Sequence, residues 1–367
     1  MSVILVTASK DNNFYNFRKE LILKLHEMGH ELIMVCPYGR KIDYFTQLGC
    51  RFVDMDIDRR GTSVVKDLRL VIFYRKLLKR EKPDIVLTYT TKCSVYCGFQ
   101  CGRMNIPYIV NNAGLVESEK EASILQRILR VLYRIGFYKT KCMMYQNTRE
   151  RDYVNTLLKN RVHYRDIPGS GVNLEEFTYR AYPKNDRLIF NYVARIVDFK
   201  GIKEFIECAK YIKGRYPDTR FVIYGDYDDD SYRDRMKALI EGGIIEYGGI
   251  QMDMKPYIEQ ANAVIHASYY EGMTNVVLEH SAMGRPCIGS DIPGVREGIE
   301  DGKTGYLFEV KNVDALIKAV EKFICLSDEE RALMGKAARL KMEKEFDRNM
   351  VTDIYIEEIE QILRKCT

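Results

Sequence analysis

Ala263-Val264-Ile265-His266-Ala267-Ser268-Tyr269-Tyr270-Glu271-Gly272-Met273-Thr274-Asn275-Val276-Val277-Leu278-Glu279 runs from a short apolar segment, through a glycine-containing turn, into a helical stretch that ends at Ala282-Met283-Gly284. Strand, turn and helix in that order form the repeating unit of a parallel sheet. The same alternation extends outward in both directions. Strands are predicted near 188–193, 220–224, 286–289 and 305–308 in the second half, and at 2–7, 32–36, 85–88, 108–111 and 142–145 in the first. Helices such as 16–28 and 66–81 lie between them. At 367 residues the chain exceeds one ordinary core of roughly 150 residues, so two domains are expected. Pro168-Gly169-Ser170-Gly171 and the polar stretch 179–187 interrupt the pattern. The expected architecture is α/β, with two Rossmann-like doubly wound domains, 1–175 and 176–349, facing a cleft. A closing helix at about 350–367 is expected to pack back on the first.

Composition narrows the function classes. Hydrophobic residues make up 46% and charged residues 30%, the balance of a globular protein. No apolar run reaches the roughly 18–20 residues of a membrane span, and Met1-Ser2-Val3-Ile4-Leu5 does not read as a secretory leader. Ten cysteines without such a leader point to reduced thiols and a cytoplasmic location. Cys93, Cys97 and Cys101 share one helix face and read as a buried small-residue seam. The net charge of +5 is uneven: residues 1–180 carry 30 Lys+Arg against 19 Asp+Glu, or +11, leaving −6 for the rest. The first half therefore suits an anionic partner.

In an open parallel sheet, ligands bind beyond the carboxyl ends of the strands. Glu271, Gly272, Met273, Thr274 and Asn275 lie at such an end. The first amides of the helix there can hold a phosphate, with Thr274 and Asn275 serving either as donors or as helix caps. Glu271 and Glu279 are eight residues apart, about 12 Å along a helix, too far to act together on one glycosidic bond. Separate tasks follow: Glu271 toward a donor sugar, Glu279 toward a ribose. Arg195 and Lys200 follow the strand 188–193, where two cations would stabilise a leaving diphosphate.

With these residues in view, the second half resembles the donor domain of retaining family-4 glycosyltransferases of the GT-B fold. Arg195 and Lys200 match that family's diphosphate-binding pair, and Glu271 and Glu279 its E-x7-E motif. Gly248-Gly249-Ile250 resembles the loop whose backbone meets the base, which adds Ile250 to the donor contacts. Asn111-Asn112-Ala113-Gly114-Leu115 is similar to a stretch of bacterial enzymes that extend undecaprenyl-diphosphate-linked sugars for capsules, O-antigens and glycoproteins. The resemblance implies a catalytic set of Glu271, Arg195 and Lys200, and acceptor-side contacts at Asn13, Lys92, Asn112 and Gly114. It further implies a UDP-linked donor, an N-acetylhexosamine as the sugar and a polyprenyl-diphosphate-linked saccharide as acceptor.

A basic amphipathic helix at 124–141 suits an anionic membrane surface. Ile124, Leu125, Ile128, Leu129, Leu132 and Ile135 form one face and Arg127, Arg130 and Arg134 its neighbour. The competing reading is a core-packed helix with a solvated basic edge. The expected location is cytoplasmic, with the protein peripheral on the inner face of the plasma membrane if the helix meets lipid. Asp228-Asp229-Asp230 reads as helix-start acid. No histidine cluster has metal spacing, so no metal and no other cofactor is expected. Two other readings are a nucleotide-sugar 2-epimerase of the same fold and a basic nucleic-acid-binding module. No recognition motif accompanies the charge, so nucleic acid is not an expected partner.

Overall fold

The computed structural model describes residues 1–59, 61, 63–111, 124–184 and 186–366. The chain separates into two compact units, Met1–Ser170 with Asn349–Thr367, and Gly171–Arg348. The first is built on β1 (Val3–Thr7), β2 (Glu31–Cys36), β3 (Arg51–Asp54), β4 (Ile85–Tyr89), β5 (Tyr108–Asn111), β6 (Cys142–Tyr145) and β7 (Tyr164–Asp166), in the order β3-β2-β1-β4-β5-β6-β7. The second carries β8 (Leu188–Val193), β9 (Thr219–Tyr224), β10 (Glu246–Gly249), β11 (Ala263–His266), β12 (Cys287–Ser290) and β13 (Gly305–Phe308), in the order β10-β9-β8-β11-β12-β13. Every pairing is parallel.

Side-chain alternation explains why both sheets are covered on two sides. In the first unit Ile4, Val6, Ile85 and Leu87 enter one core, while Leu5, Val86, Tyr108 and Val110 enter another on the opposite face. The C-terminal helix Arg348–Cys366 puts Val351, Tyr355, Ile359 and Ile362 into the first of these cores, so it belongs to the first unit.

The units divide at Ser170/Gly171 rather than at 175/176. The cause is local: Val172 donates to the Phe346 carbonyl (2.8 Å), and Arg348 N–H donates to the Val172 carbonyl (3.1 Å). The polar stretch after it is anchored by the fully buried Arg285, whose guanidinium donates to the carbonyls of Arg180 and Ala181 (both 3.0 Å).

Two helices differ from expectation. The segment 16–28 is broken at Arg18 (φ −136°, ψ 10°) into Asn12–Phe17 and Lys19–Glu27. The helix Ile124–Phe137 turns Tyr133 and Phe137 into the core, with Leu129 and Leu132 partly buried against it, but leaves Ile128, Val131 and Ile135 exposed. The seam predicted at Cys93, Cys97 and Cys101 is buried and its three thiols are free. It serves close helix packing: a Cβ on Gly98 would lie 2.4 Å from the Gly136 carbonyl, and one on Gly136 2.7 Å from Val95 Cα.

Candidate functional site

At the carboxyl edge of the second sheet, β11 ends at His266 and the chain turns through Glu271-Gly272 into the helix Asn275–Ala282. Thr274 occupies the N-cap position without a side-chain capping bond, and its backbone N–H donates to the Gly294 carbonyl (3.0 Å). The next amides are the ones that a helix start leaves without intrahelical acceptors. Gly294 closes the other side of the turn at φ 88°, where a Cβ would lie 2.4 Å from the Gly272 carbonyl. Met273 is buried and Asn275 partly buried.

From the neighbouring strand β8 the chain enters a short 3-10 turn, Asp198–Lys200. Lys200 Nζ donates to Glu271 Oε1 at 2.5 Å, and His266 Nε2 lies 3.1 Å from the same oxygen. Both side chains of the ion pair are largely buried. Burial acts to raise the Glu271 carboxyl, but the His266 contact and the Lys200 charge outweigh it and hold the group well below the usual carboxylate range. Glu279, partly exposed on the same helix, is governed by burial, which pushes it up to about 7 against the opposing charges of Arg348 and Lys255. Two carboxyls with opposite shifts thus stand on one segment.

Arg195 does not meet Glu271 directly. It donates to Asp228 Oδ2 at 2.5 Å and lies over the Phe199 ring (5.2 Å), which Lys200 Nζ approaches at 5.8 Å. Phe199 in turn stacks on Tyr270 (5.1 Å). Asp228 is therefore the partner of Arg195 rather than helix-start acid; Asp229 accepts from Ser231 N–H and Asp230 from Arg233. Ile250 follows β10 and is exposed, beside Gly249 at φ 68°.

In the first unit, Asn13 lies in the first short helix, partly buried, and Lys92 is already held by Asp67 Oδ1 (2.6 Å) and the Gly61 carbonyl (2.7 Å). Asn112 and Gly114 lie outside the described residues. Arg127 and Arg134 are exposed and Arg130 is partly buried. Among the described residues, the side chains close enough to share an ion are Cys142, His163 and Glu358, where Arg165 already donates to Glu358 at 2.9 Å.

His266 escaped the reading of the sequence. Its one signal was its place as the last residue of a strand at the ligand edge, five positions before Glu271.

Two family models divide the chain: glycosyl transferase 4-like over residues 3–147, and glycosyl transferases group 1 over residues 176–341. The N,N'-diacetylbacillosaminyl-diphospho-undecaprenol alpha-1,3-N-acetylgalactosaminyltransferase of Campylobacter jejuni is 21% identical, with 96% of each chain covered. The UDP-Gal:alpha-D-GlcNAc-diphosphoundecaprenol alpha-1,3-galactosyltransferase of Escherichia coli is 26% identical over 81% of each. Among solved structures, a glycosyltransferase from Rickettsia africae superposes with a TM-score of 0.80 at 18% identity, covering 99% of this chain and 98% of its own, so the fold is that of the GT-B enzymes. A 4-like half followed by a group 1 half, in a chain matched along most of its length, makes this protein a member of the glycosyltransferases.

Proposed function

We propose that the chain transfers a sugar, an N-acetylhexosamine or related hexose, from UDP onto a saccharide carried on a lipid diphosphate, with retention of configuration. The observation that carries this reading is the Lys200–Glu271 pair beside the start of the helix Asn275–Ala282. A buried cation and unpaired helix amides stand where charge develops on a departing diphosphate. The names of the Campylobacter and Escherichia relatives, both acting on undecaprenyl-diphosphate-linked sugars, support the acceptor class, and UDP-Gal in the second supports the nucleotide.

In this mechanism Glu271 holds Lys200 in place until a donor arrives, then turns its carboxylate to the sugar. Arg195 leaves Asp228 for the diphosphate. Glu279 accepts from the ribose, and the backbone around Ile250 meets the base. The departing phosphate oxygen takes the acceptor's proton on the same face, so electrostatic stabilisation does most of the catalysis. Lys200 and Arg195 supply the positive charge, and the reaction is expected to proceed without a divalent metal and without a further cofactor.

The basic first half and the exposed Ile128, Val131 and Ile135 beside Arg127 and Arg134 favour a peripheral position on an anionic inner membrane face. No helix among the described residues is long and apolar enough to cross a membrane.

The test is a panel of UDP-sugars with undecaprenyl-diphosphate N-acetylglucosamine, in EDTA, read by mass spectrometry and by the anomeric configuration of the product. Transfer with retention is expected from at least one donor. Conversion of a UDP-sugar to its epimer without acceptor would replace this reading with the epimerase.

A further inference from the structure

Arg18 interrupts the first helical segment, and its side chain goes inward. It is 4% exposed, yet among the described residues no carboxylate pairs with it. Its Nη1 donates to the Phe17 carbonyl (2.8 Å), while the buried Nε has no partner among the described residues. The guanidinium lies over two tyrosine rings, Tyr89 at 5.1 Å and Tyr355 at 5.3 Å. Aromatic faces attract a cation but do not neutralise it. A buried charge without a counter-ion is unfavourable unless something supplies one.

The surroundings are those of a ligand edge. Tyr89 is the last residue of β4 and Asn111 the last of β5, so the cluster stands at the carboxyl ends of the central strands of the first sheet. Asn111 Nδ2 donates to the Tyr355 hydroxyl at 2.5 Å, and Gln146 Nε2 to Asn111 Oδ1 at 3.4 Å. The Tyr89 hydroxyl, by contrast, is buried beside Tyr355 and Arg18 without a well-formed hydrogen bond to either, as is Thr90 Oγ1 beside Cys93. Thr90 also holds φ 70°, ψ 143°, a conformation that a β-branched residue rarely adopts. Lys92, the cation expected to face the acceptor, is taken by Asp67 and Gly61.

We propose that Arg18, with the Tyr89 hydroxyl beside it, forms an anion site that holds a phosphate group of the acceptor. The proposal rests on the proposed transfer to a lipid-diphosphate acceptor and on the first unit carrying the acceptor-side contacts that the resemblance implies. A phosphate there would accept from the guanidinium and from the tyrosine hydroxyl, giving the buried cation its counter-charge. The diphosphate of a lipid-linked saccharide and the phosphate of a soluble sugar phosphate share this chemistry.

The experiment uses the full chain saturated with UDP, so that the donor's diphosphate site is filled, and titrates it calorimetrically with inorganic pyrophosphate, geranyl diphosphate and glucose 1-phosphate. The wild type is expected to bind at least one of them. Arg18→Gln should weaken that binding by roughly tenfold or more with UDP affinity unchanged, and Arg18→Lys should lose less. Preference for geranyl diphosphate assigns the site to a lipid-linked acceptor, and preference for glucose 1-phosphate to a soluble one. Equal affinity in wild type and Arg18→Gln, or no binding by the wild type, overturns the proposal. If Arg18→Gln does not fold, Tyr89→Phe decides, with a several-fold loss expected and unchanged affinity overturning. UDP is titrated separately, so failure of the donor reading shows as lost UDP binding and is distinct from failure at Arg18.

Discussion

Glu271 and Glu279 stand on one turn-and-helix segment, and their surroundings drive the two carboxyls apart. Glu271 stays ionised because His266 and Lys200 hold its charge. Its contribution to stability is fully present above the ordinary carboxylate range and is lost progressively as pH falls through that range toward strong acid. Glu279 is the reverse case, with burial lifting it to about 7. The folded protein then holds that proton more tightly than the unfolded chain, so stability falls as pH rises from the ordinary carboxylate range to about 7 and levels off above. Glu279→Gln should therefore raise the melting temperature at pH 8 and leave it unchanged at pH 5. If the Glu279 carboxylate receives the ribose hydroxyls, the donor KM of the wild type should rise as pH falls below about 7, while that of the Gln variant stays flat. A flat wild-type profile removes the ribose role. Lys200→Ala should lower kcat by roughly 100-fold, with a smaller change in donor KM, if its charge acts on the departing diphosphate. Steady-state kinetics at saturating donor check this, and full turnover in the variant would refute it. Lys200 and Glu271 were legible in the sequence because strand ends and a glycine turn mark the ligand edge. His266 and Arg18 were not, since a lone residue's burial and its partners depend on contacts across the fold.

Between the elements, the turn at Glu271-Gly272 is braced from outside its own segment by Gly294. The Gly294 carbonyl accepts from Thr274 N–H, and only a glycine tolerates φ 88° with the Gly272 carbonyl so near. Gly294→Ala adds both backbone strain and a collision, a cost of order 1–3 kcal/mol. Gly302→Ala is the control: its φ is 76°, but nothing lies within 4 Å of the added Cβ. Gly294→Ala should melt below Gly302→Ala and lose UDP affinity, whereas Gly302→Ala should bind UDP as the wild type does. Equal melting and equal UDP affinity in the two variants would show that the brace is not needed. The same packing logic explains which elements the sequence revealed. The central strands are apolar on both faces and stood out as continuous runs. The edge strands β3, β7 and β10, with Arg51, Tyr164 and Glu246 exposed, lacked that signal. The break at Arg18 was hidden because apolar residues keep helical spacing through it, and Ile128 and Ile135 carried the right spacing for a core they do not enter.

For the molecule as a whole, the charge imbalance of +11 against −6 and the exposed stripe of Ile128, Val131 and Ile135 bear on one question. An apolar stripe facing solvent gains nothing from the fold that leaves it there, and it is flanked by Arg127 and Arg134. That combination suits an interface between anionic headgroups and acyl chains, where each basic residue near the surface contributes about 1 kcal/mol. Charge reversal at both, Arg127→Glu with Arg134→Glu, should then lower partitioning onto phosphatidylglycerol vesicles by at least roughly 30-fold, the equivalent of two such contributions. Ile128→Ser with Val131→Ser should weaken it further at high salt, where screening has already reduced the electrostatic part. Cosedimentation with phosphatidylglycerol and phosphatidylcholine vesicles separates the two effects, because only the apolar contribution persists on the neutral lipid. Wild-type partitioning that is equal on both lipids, or untouched by the arginine reversals, would show that this helix does not face a membrane. The stripe would then have to meet another protein, and the lipid-linked acceptor would reach the first unit by some other route.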